Sequence, residues 1–237
     1  NITAFSDIDV TVIIPDKKIS KKEAKNLRKV IRLMLGYIYS VDPLMHHGIE
    51  IISACDFSRY DESILPVKTL RSAVALNESR EMNIIVDHEL SVINAKKKLV
   101  KQCDAVILFK ENKMNQSLYK MKGLISVLTL IPVLLLQADA KEFLYKRDAI
   151  KRARDLYIEK IPFTAIDMAT EFRKNWLVPS YIYYLRKIIV LINPVFPNLQ
   201  NAQRISGSTA FINKNKADYF IKEAKNFASL VKEYIYD

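Results

Sequence analysis

The sequence predicts an α+β protein in two parts, a mixed sheet with flanking helices followed by an all-α helical bundle. Three observations carry that expectation. Up to about Asn112, β-branched runs alternate with segments of helical periodicity. Beyond Asn112 every apolar segment repeats at helical spacing, and Pro162, Pro179, Pro194 and Pro197 fall in the breaks. The expected division is therefore 1–112 and 113–237.

Ile2 to Pro15 reads ITAFSDIDVTVIIP, a β-branched and partly alternating run stopped by proline, and predicts a strand. Ser20 to Tyr39 predicts a helix. Ala24, Leu27, Ile31, Leu35 and Ile38 recur at three- and four-residue steps. Ser20 with Glu23 has capping-box spacing. Asp42-Pro43 ends that helix, and His47 to Ser53 predicts a second strand, the expected antiparallel neighbour of the first. Ser63 to Leu76 predicts a helix and Asn83 to Asp87 a third strand. Between Glu89 and Asn112 the first half has helical spacing, whereas the run Ala105 to Phe109 fits either type. The apolar stretch from Gly123 to Leu136 is shorter than the ~20 residues of a spanning helix and contains Pro132. It predicts a buried core helix and no membrane span.

Composition narrows the function classes. The chain of 237 residues is 50% hydrophobic and 27% charged, as a globular protein should be. With only 4 glycines it has neither GxGxxG nor GxxxxGK[ST], which argues against a dinucleotide fold or a P-loop. The formal net charge of +11 favours anionic partners such as NTP or nucleic acid. Cys55 and Cys103 stand far apart without a CxxC pair, so free and mostly buried thiols are expected rather than a zinc site. No signal-peptide pattern opens the sequence, and a cytoplasmic setting is expected.

The chemistry concentrates in Ser6-Asp7-Ile8-Asp9-Val10. On a strand, positions i and i+2 point to one face, so Asp7 and Asp9 would sit side by side. Two ionised carboxylates that close repel each other unless a hard cation lies between them. Mg²⁺ takes oxygen ligands and commonly one or two carboxylates plus substrate phosphates. Asp is disfavoured in strands, so two of them within IDVTVII call for such a reason.

Phe5-Ser6-Asp7-Ile8-Asp9-Val10 resembles the strand motif of the DNA polymerase β-like nucleotidyltransferase superfamily. The two-part layout is similar to small nucleotidyltransferases with a C-terminal helical domain. The resemblance implies a nucleotidyltransferase-like mixed sheet in 1–112 and an acceptor-binding helical domain in 113–237. It implies that Asp7 and Asp9 hold metal ions, Mg²⁺ or Mn²⁺, and that Ser6 contacts the nucleotide. A Gly-Ser turn that holds the triphosphate in this superfamily is expected upstream of Asn1. A third carboxylate is implied on the next strand, as metal ligand or general base. Glu50, in Ile49-Glu50-Ile51, is the first candidate and Asp87 the second. The implied activity is transfer of a nucleoside monophosphate from an NTP, such as ATP, to an acceptor hydroxyl. The acceptor is a small molecule, a protein or an RNA end, and a homodimer is compatible. The alternatives are a catalytically degenerate nucleotide- or RNA-binding module and an antitoxin-like interaction protein on the same scaffold.

Weaker features complete the sequence. His46-His47 precedes the second strand, and Lys68 and Arg71 follow it. Lys146, Arg147, Lys151, Arg152 and Arg154 crowd one helix, with Asp148 and Asp155 interleaved to pair them. Tyr181 to Tyr184 is Tyr-rich and fits helix packing or stacking. Arg204 to Ser208 forms a Gly- and Ser-containing loop.

Overall fold

The computed structural model describes residues 10–15, 20–41, 49–74, 83–110, 118–174, 181, 184, 188 and 214–236. Strand β1 covers Thr11–Ile14, helix α1 Lys21–Val41 and strand β2 Glu50–Ser53. A 3-10 helix, Ala54–Arg59, and the short helix α2, Val67–Arg71, follow. Helix α3, His88–Ile107, leads to α4, Leu118–Leu135, which runs into a π turn at Leu136–Ala140. Helices α5, Lys146–Tyr157, α6, Thr164–Lys174, and α7, Lys214–Tyr236, complete the described chain. The protein is thus mostly helical with a small two-stranded sheet, an α+β mix.

The capping box at the start of α1 is formed as its spacing predicts. Ser20 N–H donates to Glu23 Oε2 at 2.8 Å, and Glu23 N–H donates to Ser20 Oγ at 3.2 Å. The two strands pair in parallel, with Thr11 opposite Glu50 and Ile14 opposite Ser53. This corrects the antiparallel expectation. A hairpin needs a tight turn, whereas 21 residues of helix carry the chain back to the end of the sheet where β1 began.

The expected helix from Ser63 shrinks to α2. Asp61 Oδ1 accepts from Ser63 N–H at 2.8 Å, which holds a local turn in place of a helical one. Pro66 then occupies the N-cap of α2. The third strand reduces to a parallel bridge between Tyr60 and Val86. Tyr60 N–H donates to Ile85 O at 2.8 Å and Asp87 N–H to Tyr60 O at 3.0 Å.

Among the described residues, two clusters of buried apolar side chains hold the fold. The smaller contains Ile52, Phe57, Tyr60 and Val67. The larger joins α3 to α7 and includes Ala95, Leu99, Cys103 and Val106 of α3, so the helical core reaches upstream across residue 112. Edge-to-face pairs Phe163–Phe227 and Phe172–Phe220, with centroids 5.5 and 5.1 Å apart, lock α7 to its neighbours. The span Lys120–Ala140 is long and apolar enough to cross a membrane, but 61% of its most apolar window is buried within the protein. Pro132 lacks an N–H for the helical ladder, and the π turn follows it. Lys141, in the left-handed region at φ 58°, closes that turn with an N–H bond to Leu136 O.

Candidate functional site

Ser6, Asp7 and Asp9 lie outside the described residues, as do His46, His47 and the run from Arg204 to Ser208. Glu50 opens β2 with an exposed side chain. Its N–H donates to Val10 O at 3.0 Å, which fixes the register at the entry to β1. Paired positions in parallel strands share a face, so Glu50 lies with Thr11, Ile13 and Ile52. Ile52 is buried in the smaller cluster, which places that cluster on the same side of the sheet.

A polar cluster built from the 61–63 turn and α3 adjoins it. Asp61 and Glu62, both largely buried, follow Tyr60, and α3 presents Ser91, Asn94 and Lys98 towards them. Asn94 Nδ2 donates to Asp61 Oδ2 at 2.9 Å, Lys98 Nζ to Ser63 O at 2.9 Å, and Glu62 N–H to Ser91 Oγ at 2.9 Å. Glu62 Oε1 accepts from Val67 N–H at 2.9 Å and so caps α2 from a distance. Burial lowers the Lys98 pKa, opposed by the carboxylates of Asp61 and then Glu50. Burial raises the Tyr60 phenol pKa, with Asp61 and Glu62 adding to the rise. Its hydroxyl donates to Leu65 O at 2.7 Å. The Glu50 carboxylate acts electrostatically on Lys98 and Tyr60, while Asp61, Glu62 and Lys98 already have hydrogen-bond partners.

Asp87 is otherwise engaged. It is the N-cap of α3, accepting from Leu90 N–H at 3.0 Å, and Arg59 reaches it at 2.6 Å. Those two bonds, in that order, hold its carboxyl below the usual carboxylate range. Among the described residues, no group of three or more His, Cys, Asp or Glu side chains stands ready to hold a metal ion. Glu50 needs further carboxylates to do so, and its oxygens are the hard donor type Mg²⁺ takes.

The weaker sequence features resolve differently. Lys68 and Arg71 are exposed on α2, and Lys68 O accepts from Tyr145 Oη at 2.9 Å. In the α5 cluster, Arg152 pairs with Glu142 at 3.0 Å and Arg154 pairs with Asp167 while lying over the Phe163 ring at 5.3 Å. These partners come from outside α5 rather than from the interleaved Asp148 and Asp155. Tyr181 and Tyr184 are exposed. Cys103 is buried as expected, but Cys55 is exposed, because it sits on the solvent side of the 3-10 helix whose Phe57 faces inward.

Sequence reasoning missed the Asp61–Lys98 cluster. Its trace was there: Ser91, Asn94 and Lys98 repeat at three- and four-residue steps along one face of the helix. Set against known protein families, curated proteins and solved structures, the chain gives no match.

Proposed function

We propose that the protein is a metal-dependent nucleotidyltransferase that moves NMP from an NTP to an acceptor hydroxyl and releases pyrophosphate. The observation that supports this most is the pairing of Glu50 with Thr11. The strand expected from the sequence, carried back from Thr11, would give Asp9 and Asp7 the same parity. The two carboxylates of the sequence motif and Glu50 would then share one face at one end of the sheet. In this reading Asp7 and Asp9 hold the metal, Ser6 contacts the nucleotide, and Glu50 completes the ligand set or takes the acceptor proton. Bound Mg²⁺ would supply charge neutralisation on the phosphates and a lowered pKa for the attacking oxygen. The Asp61–Lys98 cluster would fix the electrostatic surroundings of Glu50, and the helices beyond residue 112 would select the acceptor. A cytoplasmic setting belongs to the same reading.

The test is incubation of the full chain with each labelled NTP and Mg²⁺, with and without cell extract as acceptor source. Pyrophosphate release that needs metal and disappears in Asp7→Asn/Asp9→Asn, with folding intact, is the expected result. Metal-independent release, or release unchanged in the double variant, would sink the assignment. NTP binding without release would turn the reading to a degenerate binding scaffold.

A further inference from the structure

We infer that α1 is a docking surface for single-stranded nucleic acid, gripping its phosphate backbone through a stripe of six cations. Lys21, Lys22, Lys25, Arg28, Lys29 and Arg32 are all exposed. At 3.6 residues per turn they fall within an arc of about 120° and run along about 16 Å of the helix. None of the six makes an ion pair among the described residues. The lone acid of α1 is Glu23, which is engaged in the capping box with Ser20. The α5 helix shows the contrast, since Arg152 and Arg154 are there tied to Glu142 and Asp167. Cations left unpaired on one narrow face repel one another, and a polyanion relieves that repulsion while releasing its own counterions.

A single strand fits better than a duplex or a membrane. Beside the stripe, Leu33 and Tyr37 continue from Lys29 at four-residue steps, and Tyr37 is 71% exposed. An exposed ring flanking a cationic track is the pairing by which unpaired bases stack while their backbone is held; a duplex keeps its bases stacked inside. A helix lying in a lipid interface needs its apolar side free. In α1 the side bearing Leu27, Ile31, Leu35 and Ile38 is half-buried, which leaves only Val30, Leu33 and Tyr37 as exposed large apolar side chains among its described residues. This inference concerns binding alone and stands whether or not the chain transfers nucleotides.

The experiment measures binding of a fluorescent 20-mer RNA of mixed sequence by the full chain across a salt series. The probes compared with it are the matching duplex and phosphatidylserine-containing vesicles. The stripe variant is Lys21→Gln/Lys25→Gln/Arg28→Gln/Arg32→Gln. The control, Lys96→Gln/Lys97→Gln/Lys101→Gln/Lys222→Gln, removes the same charge from exposed lysines of α3 and α7. The expected result is single-strand binding that falls on the order of tenfold or more in the stripe variant, with a salt slope lower by roughly 3. The control should stay near wild type, and Tyr37→Ala should weaken the single strand more than the duplex. Equal losses in both variants would reduce the effect to net charge and overturn the inference. So would absence of binding, tighter binding to the duplex, or binding to vesicles alone.

Discussion

Asn94 Nδ2 donates to Asp61 Oδ2 at 2.9 Å, across 33 residues of sequence. This bond ties the helical core to the turn beneath the small sheet. Asp61 is nearly enclosed, and its other oxygen is taken by Ser63 N–H. Removing Asn94 leaves a carboxylate oxygen without its donor in a place water reaches poorly. Asn94→Ala should therefore cost roughly 1–3 kcal/mol in urea unfolding. In a double-mutant cycle with Asp61→Ala, the double variant should cost less than the sum of the two single variants. Strict additivity would mean that the two side chains do not support each other.

Glu50 should separate function from stability. It is exposed and makes no hydrogen bond through its side chain to the described residues. Glu50→Gln should leave the melting temperature nearly unchanged. If Glu50 acts with Asp7 and Asp9, the same change should lower metal-dependent pyrophosphate release by about 10²-fold or more. Asp87→Asn should show the reverse pattern, because Asp87 caps α3 and pairs with Arg59. Its folded pKa is depressed, so its contribution is present above the ordinary Asp pKa and fades as pH falls through the depressed one. Acid titration of stability in wild type and Asp87→Asn should converge at the low end of that window.

Local physics made some of the fold legible from sequence and left other parts hidden. Ser20 with Glu23 marked the start of α1, because a capping box is completed within four residues. The direction of β2 was hidden, because parallel pairing is decided by how a long crossover returns, not by the strand's own residues. Asp87 stood in the sequence as the second candidate for the third carboxylate, after Glu50. Only its tertiary partner Arg59 and its place before α3 show it to be a cap. The Arg152–Glu142 and Arg154–Asp167 pairs escaped for the same reason, since each cation's partner lies off its own helix.

Packing and surface charge should differ sharply in their stability effects. Leu99 is fully buried among the residues joining α3 to the helical core. Leu99→Ala deletes three carbons there and should cost about 2–5 kcal/mol, the range for cavity-forming changes in cores. Arg152 is 46% exposed and its partner Glu142 33% exposed, so water and salt screen the pair. Arg152→Ala should cost far less than Leu99→Ala, and less again in high salt. Denaturant melts at two salt concentrations distinguish these, and a large, salt-sensitive loss at Arg152 would contradict the surface assignment.

Alkaline pH should act through Cys103. The thiol is buried between α3 and its neighbours, and burial, reinforced by Asp104, pushes its pKa up to about 12. The unfolded chain returns it to about 8.5. A group raised on folding contributes fully below its unfolded pKa and loses that contribution as pH climbs to the folded value. Stability should therefore decline between about 8.5 and about 12. Cys103→Ala should flatten the early part of that decline, below the range in which Tyr60 and Tyr157, also raised by burial, begin to contribute. Thiol labelling gives a second reading of the same burial. Cys55 is exposed and should react with a maleimide in the native protein, whereas Cys103 should react only at the rate of unfolding. Rapid native labelling of both would mean that α3 opens readily from the core and that the buried thiol is not protected by packing.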